Sequence, residues 1–520
     1  MKRAIKASTI FLVLALAGSF LLFREELTKC GQDAPAGAQR TAQRSRASGP
    51  LRLGAANSIY FSDSNGKAVY LTGSHNWNNL QDAEPPFLTD ADGKKLIDPG
   101  SATYPKFDFS DYLRFLVREN HNFTRLWTFE EAAWVPWLIR KQTIQPLPYA
   151  RTGPGTALDG KPKFNLTQFD QEYFDRLRSR VSAAGEQGIY VSVMLFQGCS
   201  IETKNTPPMT KPWRGHPFNR ANNINGINGD PNGDDEGSET HTLQIPEITA
   251  IQESYVRKAV AALNDLDNVL WEISNESSGS SKDWQYHMID FIKRCEAGQP
   301  KQHPVGMTFC IPGCENADLF DSPADWISPN STRKDDYSEN PPAGDGRRVI
   351  ISDTDHLEGV ERDRAWVWKS FTRGLNPIFM DPVDLPQWSS IRAAMGATLA
   401  WAERMNLGDM RPHGDLASTG YCLANPGQEY LIYASLDVPW IESRRFIRRL
   451  KRPARNIRRL LKSKVTLDLS SHPAKFRVEW FNPCNGKITT GRSVNGGTKP
   501  SFTAPFRGDA VLYVRKESGG

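Results

Sequence analysis

From about residue 50 onward, short apolar runs alternate with segments whose apolar residues recur at helical spacing. This alternation is the βα pattern of a parallel sheet. It predicts strands at residues 68–77, 122–129, 189–196, 269–274, 304–309, 326–328, 348–352 and 377–380. Most of the intervening segments are predicted helices, at residues 107–120, 168–187, 248–267, 284–296, 362–373 and 387–405. Eight such units favour a (β/α)8 TIM barrel over an open sheet, and the missing glycine-rich loop argues against a Rossmann fold.

After residue 415 the pattern changes to short alternating strands. They are predicted at residues 430–435, 465–469, 476–482, 487–490 and 510–515, with turns such as Cys484-Asn485-Gly486 between them. This pattern is typical of a small β-sandwich. The predicted organisation is therefore a barrel over residues 50–414 and a C-terminal β-sandwich module over residues 415–520, with a basic insertion at residues 443–464.

The N-terminus has the pattern of an export signal. Lys2, Arg3 and Lys6 precede an apolar run over residues 7–23, which Arg24 ends. The run fits both a cleaved signal peptide and an uncleaved signal anchor, so both remain open. The polar residues 24–49 are a predicted disordered linker. We expect a periplasmic, extracellular or envelope-anchored protein.

The distribution of charge changes what the net charge of +5 implies. Residues 1–49 carry a net charge of +5 and residues 443–464 carry +11, so the remainder sums to −11. The acidic main body argues against a nucleic-acid-binding groove, and no nucleic-acid partner is predicted. The insertion places Phe446, Leu450 and Ile457 at helical spacing among its arginines. It is either an amphipathic helix attracted to an anionic membrane or polymer, or a disordered charged segment.

Polar side chains follow the predicted strands at the end where a barrel of this kind carries its active site. Carboxylates, amides and tryptophans dominate this set, without a convincing Ser–His–Asp or zinc constellation, so no metal or cofactor is expected. Such residues are what the cleavage of a glycosidic bond requires. The candidates are His75, Asn76, Trp77, Arg125, Trp127, Gln197, Asn275, Glu276, Asp353, Asp355 and His356.

Glu276 is the predicted acid/base, and Asp353 or Asp355 is its predicted partner. Asp353 fits the strand end best, while Asp355 faces the same side because side chains alternate with a period of two. The other candidates are expected to bind sugar hydroxyls, and Trp77 and Trp127 to stack on sugar rings. Carboxyl groups about 5–5.5 Å apart give retention and groups about 6.5–9.5 Å apart give inversion.

Several motifs resemble those of known enzymes. VLWEISNE, which ends in Asn275-Glu276, resembles the acid/base signature of clan A retaining glycoside hydrolases, and Arg125 in NFTRLW is similar to their strand-two arginine. RVIISDTDH lies where those enzymes carry the strand-seven nucleophile, normally a glutamate. IYFSDSNGKAVYLTGSHNWNNLQD, PIFMDP and FTAPFRGDAVLYVRK resemble the apiosidase-like bacterial glycosidases, whose last module is named a collagen-binding domain. The resemblance implies a retaining enzyme, but the shorter aspartate leaves the stereochemistry open.

The function that these observations predict is that of an exported glycoside hydrolase acting on plant or microbial oligo- or polysaccharide. Two other functions remain open. One is a non-catalytic carbohydrate-binding protein on the same scaffold, and the other is an adhesion protein led by the C-terminal module. Release of reducing sugar from a glycan would distinguish the glycoside hydrolase from both alternatives.

Overall fold

The computed structural model describes residues 45–55, 57–77, 79–84, 107–134, 143–203, 211–357, 359–360, 363–381, 386–435 and 462–517. The predicted export signal, most of the linker and residues 443–461 of the insertion therefore lie outside the described residues. Within the described ranges, no helix is both long enough and apolar enough to cross a membrane.

Eight parallel strands form the centre of the molecule. They are β1 (Gly73–His75), β2 (Phe123–Leu126), β3 (Tyr190–Gln197), β4 (Val269–Asn275), β5 (Val305–Thr308), β6 (Trp326–Ser328), β7 (Val349–Asp353) and β8 (Asn376–Met380). Consecutive strands β2 to β8 are hydrogen-bonded neighbours, and β8 pairs with β1. A parallel bridge between Asn76 and Leu126 joins β1 to β2, which closes the ring. The predicted (β/α)8 barrel is thereby confirmed.

Helices surround the strands, and side-chain caps define several of their starts. Asp108, Asp170 and Asp363 each precede a helix and accept a hydrogen bond from a backbone N–H of its first turn. Such caps satisfy donors that have no partner within the helix. The helices are α1 (Phe109–Arg118), α2 (Gln171–Glu186), α3 (Pro246–Leu263), α4 (Lys282–Ala297), α5 (Asn316–Asp321), α6 (Arg364–Thr372) and α7 (Ser389–Arg404).

The predicted first strand, residues 68–77, is too long. Ala68–Val69 is a separate strand that pairs antiparallel with Phe61–Ser62. Between it and β1, the backbone N–H of Leu71 donates to the Asn376 side chain at 2.9 Å, and that of Thr72 donates to Asn122 Oδ1 at 3.0 Å. Side chains thus take the bonds that a neighbouring strand would otherwise make, so β1 begins only at Gly73.

Alternation along the strands separates the barrel interior from the helix layer. Phe123, Tyr190 and Leu270 belong to one buried apolar cluster, which also holds residues from β7 and β8 and fills the lower interior. Their neighbours Val191 and Val269 instead belong to the larger core that includes the helices. Because side chains alternate, the residues two further along β2 and β4 also point inward. Those residues are charged, and they begin the candidate site.

The C-terminal region forms a β-sandwich, as predicted. Its strands are β9 (Arg411–Pro412), β10 (Cys422–Asn425), β11 (Glu429–Ala434), β12 (Lys464–Thr466), β13 (Lys475–Phe481), β14 (Ile488–Thr490), β15 (Val494–Asn495), β16 (Ser501–Thr503) and β17 (Ala510–Lys516). A seven-stranded antiparallel sheet has the order β9-β10-β11-β17-β13-β14, with β15 also paired to β13, and a two-stranded sheet joins β12 to β16. The sequence pattern missed β9, β10, β15 and β16.

The larger sheet of the sandwich is apolar on both faces. Tyr430 and Ile432 of β11 pack in the core between the two sheets, whereas Tyr433 belongs to the core shared with the barrel. On that side Tyr433 stacks on Trp368 of α6 at a centroid distance of 6.3 Å, and Tyr513 packs on Trp401 of α7 at 5.0 Å. The sandwich is therefore joined to the barrel by a continuous aromatic core.

Candidate active site

Arg125 lies at the centre of the barrel mouth. It is the inward-facing residue two positions after Phe123 on β2, and it is 1% exposed. Its Nη1 lies 2.9 Å from Asp353 Oδ2 and 3.3 Å from Asp355 Oδ2. Its Nη2 donates to Asn275 Oδ1 at 2.9 Å. One guanidinium thus joins the ends of β4 and β7, consistent with the preference of arginine for planar, multidentate contacts with carboxylates.

Glu272 is a functional residue that the sequence analysis missed. It is fully buried in the middle of β4, where its Oε2 accepts from Arg125 Nε at 2.9 Å and from Ser192 Oγ at 3.0 Å. Its Oε1 also contacts Arg125 Nη2. A glutamate within the otherwise apolar run VLWEIS was a usable signal, because a buried charge must be paired.

Asp353 is enclosed on all sides. Its Oδ1 contacts His75 Nε2 at 2.9 Å and accepts from the backbone N–H of Asp355 at 2.9 Å. Trp127 Nε1 donates to His75 Nδ1 at 2.7 Å, which places the imidazole proton on Nε2, directed at Asp353. Burial acts to raise the pKa of Asp353, but His75 and Arg125 outweigh it and hold that pKa well below its usual range. Asp353 is therefore an ionised internal carboxylate.

Glu276 follows β4 directly and has an unusual backbone. Its φ is +50°, in the left-handed region that residues other than glycine rarely occupy. The thiol of Cys199 donates to Glu276 Oε2 at 3.1 Å. A Cβ on Gly198 would lie 2.3 Å from the Glu276 carbonyl oxygen, so only glycine fits beside this turn.

Glu276 and Asp355 face each other across the mouth. One carboxyl oxygen of each, together with a ring nitrogen of His356, lies within a group whose members are all within 4.8 Å of one another. Both carboxylates are partly exposed, unlike Asp353, which is 1% exposed. The two groups can therefore contact a molecule that enters the mouth. The spacing of this group would also accommodate one cation, a reading that a chelator tests directly.

The polar residues expected to bind sugar lie together but are largely bonded to one another. Asn275 Oδ1 accepts from Arg125 and lies 3.1 Å from His356 Nε2, and Asn275 Nδ2 lies 3.3 Å from Gln197 Oε1. Asn76 Nδ2 donates to the carbonyl of Asp381 at 3.0 Å. These contacts order the mouth of the barrel before any ligand arrives.

The structure gives Trp127 and Trp77 different positions from those expected for sugar stacking. Trp127 is buried, and the Arg125 guanidinium lies 4.8 Å from its ring centroid. Trp77 is also buried and meets Trp127 edge-on at 6.5 Å. Trp127 packs against both Arg125 and His75, and the stacking of either tryptophan on a sugar ring stays a prediction.

A second cluster of ionisable groups lies behind the site. Glu130 Oε2 contacts His241 Nε2 at 3.0 Å and accepts from the backbone N–H of Gln197 at 2.8 Å, and Glu130 Oε1 lies 3.4 Å from His216 Nε2. Burial acts to raise the pKa of Glu130, but His241 and His216 lower it to about 2. The adjacent Glu131 is fully buried, and burial raises its pKa to about 8. At neutral pH Glu130 is therefore ionised, whereas the neighbouring Glu131 keeps its proton.

Comparisons with known proteins place the fold among glycoside hydrolases. A glycoside hydrolase family 5 protein from Bacteroides vulgatus is similar with a TM-score of 0.55 at 12% identity, covering 90% of this chain and 93% of that one. Another glycoside hydrolase has a TM-score of 0.53 at 12% identity, covering 92% of this chain and 100% of the other. Residues 115–311 match a family model described as a domain of unknown function, DUF6298. No curated protein matches the sequence.

At these identities the likeness shows the fold alone. The chain has the barrel fold of these proteins, and a fold of this kind hosts many reactions. The reaction must therefore be argued from the side chains at the mouth of the barrel.

Proposed function

We propose that this protein is an exported glycoside hydrolase that cleaves oligo- or polysaccharide with retention of configuration. The observation that carries the proposal is the pair of partly exposed carboxyl groups, Glu276 and Asp355, with oxygens within 4.8 Å of each other at the barrel mouth. Retaining enzymes hold their two carboxyl groups about 5–5.5 Å apart, whereas inverting enzymes need room for a water between them.

We assign the nucleophile to Asp355 in preference to Asp353. Both oxygens of Asp353 are engaged, by His75 and the Asp355 backbone on one side and by Arg125 on the other. Asp355 Oδ2 lies 3.3 Å from Arg125 Nη1 and 3.6 Å from His356 Nε2, and its side chain is more accessible. The sequence pattern favoured Asp353 because it ends the strand, but a nucleophile must reach the anomeric carbon.

The proposed reaction has two steps. Glu276 gives its proton to the glycosidic oxygen while Asp355 attacks the anomeric carbon, so the C–O bond to the leaving group breaks and a glycosyl ester forms. Glu276 then takes a proton from water, which attacks the same carbon and releases Asp355. Arg125 stabilises the negative charge of Asp355 before attack and after release. The buried Asp353 and Glu272 keep Arg125 in place.

The finer parts of the proposal rest on the sequence. We infer that residues 1–23 direct export, as a signal peptide or an anchor, and that the enzyme belongs among the apiosidase-like bacterial glycosidases. The basic insertion would add contact with an anionic membrane or polymer.

The decisive experiment is a screen of purified protein against a panel of plant and microbial glycans, with release of reducing sugar as the readout. We expect hydrolysis by the wild type, unchanged by EDTA, and a loss of at least about 100-fold for Glu276→Gln. For an aryl glycoside with an activated leaving group, kcat/KM should fall far less, because that leaving group needs little protonation. A matched control is Glu253→Gln, which lies on the helical surface.

Other outcomes would favour the alternatives. Sugar binding without hydrolysis in the wild type would identify a carbohydrate-binding protein on a glycosidase scaffold, and neither binding nor hydrolysis would leave the adhesion function. Loss of activity in EDTA would mean that Glu276, Asp355 and His356 hold a metal ion, and the two-carboxylate mechanism would be wrong.

A further inference from the structure

We propose that Glu130, His241 and Ser277 form a hydrogen-bonded clamp that positions Glu276 as the acid/base. This inference rests on the proposed function and extends it to residues that the sequence did not assign. The three residues come from different segments of the chain, after β2, before α3 and after β4. They are positioning residues, because they act on the reaction only through Glu276.

The clamp is a continuous chain of short contacts. Ser277, the residue directly after Glu276, lies with its Oγ 2.9 Å from His241 Nδ1. His241 Nε2 lies 3.0 Å from Glu130 Oε2, and the Ser274 hydroxyl lies 2.5 Å from that of Ser277. Glu130 follows β2 and its Oε2 also accepts from the Gln197 backbone at the end of β3. The chain therefore ties the ends of β2, β3 and β4 together.

The contacts of the clamp are linked in series. The ionised Glu130 only accepts hydrogen bonds, so His241 donates from Nε2. Nδ1 of the same ring contacts the Ser277 hydroxyl, which in turn contacts that of Ser274. Bonds oriented in series polarise one another and are stronger in a buried setting. His241 and Ser277 are each 1% exposed.

Packing fixes the ring of His241 in this orientation. Trp284 of α4 stacks on it at a centroid distance of 4.4 Å with an interplanar angle of 6°. Trp284 in turn donates from Nε1 to Gln252 Oε1 at 2.9 Å, and Gln252 donates to the carbonyl of Thr240 at 2.8 Å. The histidine is therefore held by its stacking partner and through the backbone beside it.

Glu276 needs such support because of its backbone conformation. A φ of +50° in a residue other than glycine is strained and persists only where the surroundings enforce it. Ser277 is held at its side chain by His241 and at its carbonyl by the backbone N–H of Ile311 at 3.0 Å. The clamp thus fixes the residue next to the strained one, which sets the direction of the Glu276 side chain.

The test compares two buried histidines that each pair with a glutamate. His241→Gln and Ser277→Ala interrupt the clamp. His303→Gln is the matched control, since His303 Nδ1 lies 2.7 Å from Glu296 Oε1 at the opposite end of the barrel. For each variant we would measure kcat/KM on phenyl and dinitrophenyl glycosides of glucose, mannose, xylose and arabinose, together with the Tm.

We expect the clamp variants to lower kcat/KM by about 10- to 100-fold on phenyl glycosides, because a displacement of about 1 Å can cost that much. On dinitrophenyl glycosides the loss should stay under about threefold. His303→Gln should lower the Tm without changing the ratio between the two substrates. Equal losses on both substrates, or a ratio matching that of His303→Gln, would overturn the clamp.

A crystallographic measurement keeps the inference separate from the proposed function. In His241→Gln and Ser277→Ala, the distance between Glu276 Oε2 and Cys199 Sγ, 3.1 Å here, should lengthen and φ of Glu276 should change. An unmoved Glu276 would refute the clamp even if the enzyme is active. A wild type that hydrolyses no glycoside would refute the proposed function, while this geometric comparison would still decide the clamp.

Discussion

Arg125 Nη1 lies 2.9 Å from Asp353 Oδ2, and both side chains are at most 2% exposed. The same nitrogen lies 3.3 Å from Asp355, whose side chain is 8% exposed. The two aspartates thus share one cation but differ in access to the barrel mouth. The buried one is suited to holding Arg125, and the more accessible one to attacking a substrate.

This difference in accessibility predicts that azide restores the activity of only one of the two alanine variants, Asp355→Ala. In Asp355→Ala, azide can enter the space left by the side chain and attack the anomeric carbon, forming a glycosyl azide of inverted configuration. Asp353→Ala should not be rescued, because its space is enclosed by His75 and Arg125. Product analysis by NMR with a dinitrophenyl glycoside checks this. Rescue of Asp353→Ala alone would return the nucleophile to the strand end, and rescue of neither would favour inversion.

Glu272→Gln should destabilise the protein strongly. The substitution keeps the shape but removes one of the carboxylates that compensate the buried Arg125, and removing one partner of a buried pair typically costs about 3–5 kcal/mol. The control is Glu253→Gln, whose partly exposed contact with His287 at 2.7 Å should contribute less than about 1 kcal/mol. Urea unfolding measures both. Similar losses for the two variants would mean that Arg125 does not depend on Glu272.

Much of this architecture was readable from the sequence, and the exceptions have physical causes. The eight strands and Arg125 were predicted because apolar runs and strand ends follow local rules. Glu272 was missed because its role appears only when β2 and β4 become neighbours of β3, which brings residues far apart in the chain into contact. His241 ends a short 3-10 helix, Ser238–His241, in a segment without apolar periodicity, so no local pattern marks it.

The sequence could not decide which of the two aspartates is the nucleophile, for a related reason. Alternation places Asp353 and Asp355 on one side, and both do contact Arg125. Which of them stays accessible depends on His75, a residue from β1 on the other side of β8. A pattern confined to strand seven cannot contain that information.

Stability should depend on the ionisation of Glu131. Its pKa is raised by burial from about 4.5 to about 8, and neither carboxyl oxygen has a hydrogen-bond partner among the described residues. Between these two pH values the unfolded chain loses its proton while the folded protein keeps it, so folding stability falls as the pH rises. The stability that the protonated Glu131 contributes is fully present below about pH 4.5 and is lost as the pH rises through about 8.

Glu131→Gln should remove that dependence. Relative to the wild type, the variant should gain stability progressively from about pH 5 to about pH 8, on the order of 4 kcal/mol at the upper end. Urea unfolding at a series of pH values measures this difference. Glu186→Gln, an exposed substitution in α2, serves as the control and should leave the slope unchanged. A constant difference across the range would show that Glu131 ionises normally in the folded protein.

The last prediction concerns residues 443–461, which carry nine arginine and lysine residues and no acid. The described residues on either side of the segment meet in the sandwich, since Ser463 Oγ donates to the carbonyl of Ala434 at 3.2 Å and of Gly508 at 2.8 Å. Replacing residues 443–461 with a short glycine-serine linker should therefore leave β11 and β12 intact.

Each cation near an anionic surface contributes up to about 1 kcal/mol. We expect the wild type to co-sediment with phosphatidylserine vesicles at about 0.01 M salt and to release at about 1 M, where the screening length falls from about 30 to about 3 Å. The linker variant should lose the salt-dependent fraction and keep its hydrolysis of soluble substrate. A second variant with these arginines changed to glutamine separates charge from length. Vesicle binding that survives both changes would refute the membrane contact, and hydrolysis lost in both would mean that the segment supports the fold.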